Sequence, residues 1–348
     1  MMEENYHEKV IALALSVVMA LSLVACGGET AKAPAKFKVG MGHNISAKMT
    51  DATADKAGSA QVDTTMLVAA FDAEGKVTSV SIDVAQQKLG VNADGTTADA
   101  AKADIRTKIE KEGDYGMVGV SGIGKEYFEQ IEALENWMVG KTVEEIVNMP
   151  VMDRGDGSHT HVPTDADLAA GCTITVKSYL DALQEAWDNG VEVEGVAKVG
   201  LGQNISVKGT AATADKNGSV QVDTNMVGVA LDAEGKILWG KIDVAQQKIG
   251  FDATGVKAGD VDVRTKVEKE GDYGMKGVSA IGKEYFEQAK AYTEWMTGKT
   301  ATEVLEMPTY ERDASHTAVP AVEDLKASVT VTVGAYLEAL EEAAKLAK

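Results

Sequence analysis

Residues 38–48 read KVGMGHNISAK, and residues 198–208 read KVGLGQNISVK, 160 positions on, differing at three places. The same spacing carries IDVAQQK from 82–88 to 242–248. EKEGDYGM (110–117) returns at 268–275 and IGKEYFEQ (123–130) at 281–288, both 158 on, while SHT (158–160) returns at 315–317, 157 on. A solenoid repeats every 20–50 residues or so, so a period this long is a duplication of a whole domain with small deletions. The chain has 348 residues, 45% apolar and 25% charged, which is room for two domains of globular composition.

Within each copy the elements follow from periodicity. Residues 65–71 and 76–84 are strand-like runs around Asp72-Ala-Glu-Gly75, with Val80, Ile82 and Val84 alternating, and they predict a β-hairpin that recurs around 232–235. Ile123, Tyr127, Ile131, Leu134 and Met138 form a helical stripe, matched by Ile281, Tyr285, Ala289, Tyr292 and Met296, with Trp137 and Trp295 near the ends. Thr142 with Glu145, and Thr300 with Glu303, have capping-box spacing and predict a second helix, stopped by Pro150 or Pro308. TITV (173–176) and TVTV (330–333) alternate β-branched residues and predict a strand that runs into an amphipathic helix carrying Tyr179, Leu183 and Ala186, or Tyr336, Leu340 and Ala343. The expected class is α+β, an antiparallel sheet with packed helices, in two tandem copies. GMG (40–42) and GLG (200–202) lack the context of a dinucleotide site and predict tight turns.

The N-terminus sets the expected compartment. VIALALSVVMALSLVA (10–25) has the length of a signal-peptide apolar region and ends at Leu23-Val24-Ala25-Cys26, which resembles a bacterial lipobox with Cys26 as the acylated residue. Its leader carries Glu3, Glu4 and Glu8 against Lys9, where positive charge is usual; a start site assigned upstream of the native one accounts for this. The expected layout is a signal peptide at 1–25, anchor and tether at 26–37, domain 1 at 38–187, a linker at 188–197 and domain 2 at 198–348. Loss of three acids and one Lys with the signal peptide takes the formal charge from −20 to −18. That argues against nucleic acid and against basic docking on anionic lipid, so membrane attachment rests on the lipid. With Cys26 lipidated, Cys172 has no partner for a disulfide within the chain.

Few residues suggest enzymatic chemistry. Of five His, His7 falls in the signal peptide, His43 is replaced by Gln203 and His161 by Ala318, while His159 and His316 hold equal places and read as hydrogen-bonded loop residues rather than metal ligands. No GxSxG or full Walker pattern is present. No catalytic residue and no metal site is assigned.

DLAAGCT (167–173) and DLKASVT (324–330) resemble the flavinylation motif of FMN-binding domains, Asp-x-x-(Ser/Thr)-(Gly/Ser)-Ala-(Thr/Ser). Ala170 or Ala327 stands at its Ser/Thr position and Cys172 or Val329 at its Ala position, which keeps the site small. Together with KVGxG, DATADK, IDVAQQK, GDYGM, IGKEYFEQ and the His159 and His316 segments, the motif resembles the flavinylated lipoproteins of Gram-positive extracellular electron transfer, of the pheromone-encoding type. The resemblance implies covalent FMN joined by a phosphoester to Thr173 and Thr330, with Asp167, Asp324, His159 and His316 in the site. It implies attachment by a flavin transferase, a membrane quinol-linked donor, and extracellular acceptors such as ferric iron or flavins. The protein is then a lipid-anchored extracytoplasmic electron carrier rather than an enzyme with a shaped substrate pocket. Trp137, Trp295, Tyr115 and Tyr273 are candidates either to stack on the flavin or to pack the core. Read without the resemblance, the two threonines are β-formers in a buried strand. The alternative function is a surface ligand-binding lipoprotein, or a pheromone precursor releasing VMALSLVA (18–25), without flavin.

Overall fold

Thr65–Phe71 is an uninterrupted run of side chains, and the fold explains why it does not alternate. Its strand, β2 (Gly58–Phe71), lies between β1 (Lys36–Thr50) and β3 (Val77–Val91) in an antiparallel sheet that is covered on both faces. Leu67, Ala69 and Phe71 pack on helices, whereas Met66, Val68 and Ala70 pack on a second sheet. A strand buried on both sides reads as continuous apolar sequence. The computed structural model describes residues 35–348; the expected signal peptide, Cys26 and most of the tether lie outside the described residues.

The first half continues with helices α1 (Tyr127–Met138) and α2 (Val143–Val147), and a two-residue ribbon of β4 (Val151–Met152) and β5 (Val162–Pro163). The short helix α3 (Ala166–Ala169) and helix α4 (Lys177–Asp188) complete it. After β6 (Val191–Glu194), the second half runs β7 (Lys198–Thr210), β8 (Gly218–Leu231), β9 (Ile237–Phe251), α5 (Tyr285–Met296), α6 (Ala301–Leu305), β10 (Thr309–Tyr310), β11 (Val319–Pro320) and α7 (Gly334–Leu346). The sheets are ordered β3-β2-β1-β6 and β7-β8-β9. The fold is therefore α+β with antiparallel sheets. The segment expected as a linker contributes β6, which extends the first sheet by pairing with β1.

The two sheets face each other. Val39, Met41, Met66 and Val68 meet Leu201, Met226 and Ala230 in one shared cluster, and Val62, Leu89 and Val91 meet Val222, Ile249 and Phe251 in another. A side chain at Gly228 would run into Val68, its Cβ falling 2.7 Å from Val68 Cγ2, so the bulk at one position of the repeat fills the space left at the other. Reciprocal backbone bonds close the seam: Ala52 N donates to Gly255 O (3.0 Å) and Ala212 N to Gly95 O (2.8 Å).

Gly40 and Gly42 lie inside β1, not in the tight turn expected of them. A Cβ at Gly40 would sit 1.8 Å from Ala186 O and one at Gly42 2.0 Å from Ala182 O, so the glycines are there to let α4 rest directly on the strand. Gly200 and Gly202 do the same for α7 against Ala343 and Ala339. The hairpin at Asp72–Gly75 forms as expected, with Asp72 Oδ1 accepting from Glu74 N and Lys76 N, and both capping boxes are made. The first long helix starts later than its apolar stripe predicts. Ile123 and Ile281 precede it because Gly124 and Gly282 take φ of 64°, and the helices open at Glu126 and Glu284, whose carboxylates also accept from Met117 N (2.8 Å) and Met275 N (2.8 Å).

The expected strands TITV and TVTV are absent among the described residues: both segments are irregular, with a bend at Ile174 or Val331 and αR backbone at Val176 or Val333. Donors are satisfied elsewhere, Thr173 N by Gln130 Oε1 and Val176 N by His161 O, so tertiary partners override β-propensity. The helices expected after them do form.

Gly202→Ala is expected to lower unfolding stability by about 3 kcal/mol, at the upper end for overpacking, because the obstacle is backbone. Gly122→Ala, with nothing within 4 Å, is the near-neutral control, and urea midpoints compare the two.

Candidate functional site

Thr173 and Thr330 are held by a residue that the sequence reading did not single out. Gln130 on α1 is fully buried, and its Oε1 accepts from Thr173 N at 2.8 Å and from Thr173 Oγ1 at 3.3 Å. The amide orientation is fixed from its other end, where Nε2 donates to Ser121 Oγ (3.2 Å) and Lys125 O (3.1 Å). In the second half Gln288 repeats this, with Thr330 N at 2.8 Å, Thr330 Oγ1 at 3.3 Å and Ser279 Oγ at 3.2 Å. Each threonine is thus half-buried, its backbone clamped and its hydroxyl proton directed at an amide oxygen.

A cation stands on the other side. Arg154 Nη2 donates to Thr173 O at 3.1 Å and Arg312 Nη1 to Thr330 O at 3.2 Å. Both arginines are exposed. His316 joins them: its Nδ1 bonds Asp313 Oδ1 at 2.7 Å, and Arg312 Nε reaches Asp313 Oδ2 at 3.3 Å. His316 beside it, with Ser315 N and Arg312, holds the Asp313 carboxyl below its ordinary range, at about 2. His159 pairs with Asp156 in the same way, at 2.7 Å.

Of the residues expected in the site, Thr330 and His316 line one hollow of about 440 Å³, with Arg312, Met275, Val278 and Ser279. Val278 is 85% exposed there, and Val120 is 86% exposed at the matching place. Asp167 and Asp324 are not brought in: both are exposed on the helical turns that precede the threonines, and neither carboxylate bonds to the threonine segment. The neighbouring Leu168 and Leu325 are the buried anchors of those turns. The four aromatic candidates pack elsewhere. Trp137 Nε1 donates to Asp165 Oδ1 (3.1 Å) under Lys141, Trp295 stacks on Tyr292, and Tyr115 and Tyr273 lie against Tyr127 and Tyr285. Cys172 is a buried free thiol whose burial pushes its pKa up to about 11, which leaves it protonated and unreactive. A larger hollow of about 630 Å³, beside Trp187, contains none of the residues expected in the site.

Gln130 and Gln288 were discoverable from the repeated IGKEYFEQ, which places a glutamine on the apolar stripe of a helix. A buried amide there needs partners on both ends. The arginines had no such signal, since their contacts are to backbone oxygens.

What the arrangement offers beside Thr330 is a hydroxyl, an arginine and an apolar wall in one hollow, and the threonine contacts with glutamine and arginine recur at Thr173. Comparisons with protein-family models, curated proteins and solved structures yield no match.

Gln288→Leu leaves Thr330 N and Oγ1 without their acceptor and is expected to cost about 1–3 kcal/mol. Hydrogen exchange at the Thr330 amide is expected to speed up while exchange at the Thr173 amide stays unchanged.

Proposed function

We propose that Thr173 and Thr330 each carry an FMN joined through its phosphate, and that the protein relays electrons at the outer face of the cell membrane. The observation that carries this reading is the duplicated clamp: in both halves a buried glutamine presents a threonine hydroxyl beside an arginine that suits a phosphate. The residues fit the group. A guanidinium meets the negative charge, Met275 and the exposed Val278 provide apolar surface for a ring system, and the hollow beside Thr330 is of ligand size. When bound, the flavin supplies the redox chemistry.

The chain's own residues prepare the attachment. Gln288 fixes the backbone so that only the hydroxyl projects, and the adjoining Ala327 and Ser328 keep approach open to a second protein. A flavin transferase forms the bond between threonine Oγ and the FMN phosphorus of FAD, the pyrophosphate P–O bond breaks, AMP leaves, and the hydroxyl proton passes to a base of the transferase. The threonine has no strong base of its own, since the amide oxygen of Gln288 accepts its proton only as a hydrogen bond, so catalysis belongs to the partner. A covalent link keeps flavin on a protein exposed to the outside. Donor and acceptor are those that the family resemblance implies, a membrane quinol-linked donor and ferric iron or free flavin, with Cys26 as the lipid anchor.

Co-expression of residues 27–348 with a flavin transferase is expected to give two FMN adducts by intact mass, with Thr173→Val and Thr330→Val each removing one. An unmodified, colourless protein beside an active transferase overturns the reading in favour of a flavin-free binding protein.

A further inference from the structure

Among the described residues, His43 is the one histidine placed at the seam between the two halves. It lies on β1 beyond the end of β6, and its side chain is only 7% exposed. Nδ1 is 3.2 Å from Glu185 Oε2 on α4, which belongs to the same half. Nε2 is 3.3 Å from Glu268 Oε2, which the second half supplies from the segment after β9. Both carboxylates are themselves held, Glu185 by His43 N at 2.7 Å and Glu268 by Thr265 N at 2.7 Å.

A neutral imidazole has one N–H and can donate to only one of these carboxylates; the imidazolium can serve both. Nε2 bonds Glu268, whereas the buried Nδ1 makes no hydrogen bond among the described residues and lies 3.2 Å from Glu185 Oε2, so a proton there is favoured by the charge of Glu185; the three groups lie within 4.8 Å of one another, and the metal alternative is decided by the test below. The other charged groups near the ring are Asp243 and Lys241 on β9 and Asp181 on α4. Asp243 adds negative charge, Lys241 is engaged with Met41 O at 3.2 Å, and Asp181 is taken by Lys177 and Asn44.

The matching position across the seam is different. Gln203 donates through Nε2 to Glu342 Oε1 at 2.7 Å and through its backbone to Glu342 Oε2 at 2.8 Å, bonds that do not depend on protonation of the glutamine. Glu110, the counterpart of Glu268, is close enough to Glu342 to repel it.

We infer that His43 is a pH-responsive clasp between the two halves, closed when its imidazolium bridges Glu185 and Glu268 and loosened when it loses its proton. This does not depend on the flavin reading. Burial alone would lower the His43 pKa, but the hydrogen bond to Glu268 and the charges of Glu185, Glu268 and Asp243 outweigh it, and the net shift is upward from 6.5. A raised histidine contributes stability that is fully present below 6.5 and is lost as pH rises through its folded value. Glu268 stays ionised through this range, since the bond from His43 holds it at about 2. Glu342 acts in the same direction at lower pH. Burial, with repulsion from Glu110 and Asp83, raises it to about 7, so folding loses stability from pH 4.5 up to about 7 as it ionises.

The test is unfolding of the full chain from pH 5 to 9, with NMR titration of the His43 ring. Above pH 6.5 the wild-type unfolding constant is expected to rise by up to about tenfold per pH unit, the slope of one proton. His43→Gln is expected to flatten that limb and keep the lower one, which Glu342→Gln reduces while Asp83, raised by burial to about 6, keeps its share. Glu268→Gln, which leaves the ring in place, is expected to lower the His43 midpoint. A midpoint at or below 6.5 in the wild type, or a wild-type pH profile in His43→Gln, overturns the clasp. So does stabilisation by Zn²⁺ at pH 8 that vanishes in His43→Gln, which would make the trio a metal site.

Discussion

Each half of the protein depends on a helix seated directly on a strand. Because Gly40 and Gly42 have no Cβ, the carbonyls of Ala186 and Ala182 come down to the backbone of β1, and Gly200 and Gly202 give α7 the same seat. That seat fixes where α4 begins, at Lys177, and Val176 N then ties the chain just before it to His161 O. Residues 172–176 are left to cross from α3 to α4 past the end of α1. Gln130 stands on that path, and it takes Thr173 N in place of a neighbouring strand. A side chain on the glycines would lift α4 by an atomic layer and draw the threonine away from its clamp. The close contact in the core and the presentation of a hydroxyl at the surface are thus one constraint.

The opposite face of each sheet has a different task. Met41, Met66 and Val68 would be exposed on an isolated half, and the second half covers them with Leu201, Met226 and Ala230. Neither half completes its burial alone, which is why two repeats of a long period come together as one body over residues 35–348. Their sequences have diverged where they meet, as at Val68 against Gly228, because two identical bulky residues facing each other would overfill the layer.

Local signals were legible in the sequence and tertiary ones were not. The Asp72–Gly75 turn, the Thr142 and Thr300 caps and the helices after the threonines are set by side chains a few residues apart, and they stand where periodicity and spacing put them. TITV was misread because alternation of β-branched residues says only that a segment prefers extended backbone. Whether it joins a ladder depends on a partner strand, and here a glutamine 43 positions away supplied the bond instead. GMG was misread for a related reason: glycine permits both a turn and a close approach, and only the helix that arrives over it decides between them. Asp167 and Asp324, carried over from a motif, lie six positions before the threonines and are exposed on the preceding turn. The arginines that do reach the threonines come from a loop 18 or 19 positions away.

The two halves treat their shared features in opposite ways, and the contrast is informative. Around the threonines the copies share their bonds: the same glutamine oxygen, the same serine behind it, and an arginine guanidinium on the same carbonyl. Along the seam they differ, with His43 on one side and Gln203 on the other facing matched glutamates. That the seam is unlike assigns it a single job for the pair, with one titratable bridge in place of two. Had both positions been histidine, both carboxylate pairs would be neutralised together; with one glutamine, the seam retains a carboxylate, Glu342, that burial and like charge make reluctant to ionise. The interface is therefore most comfortable at mildly acidic pH, a property that belongs to the pair of halves and to neither alone.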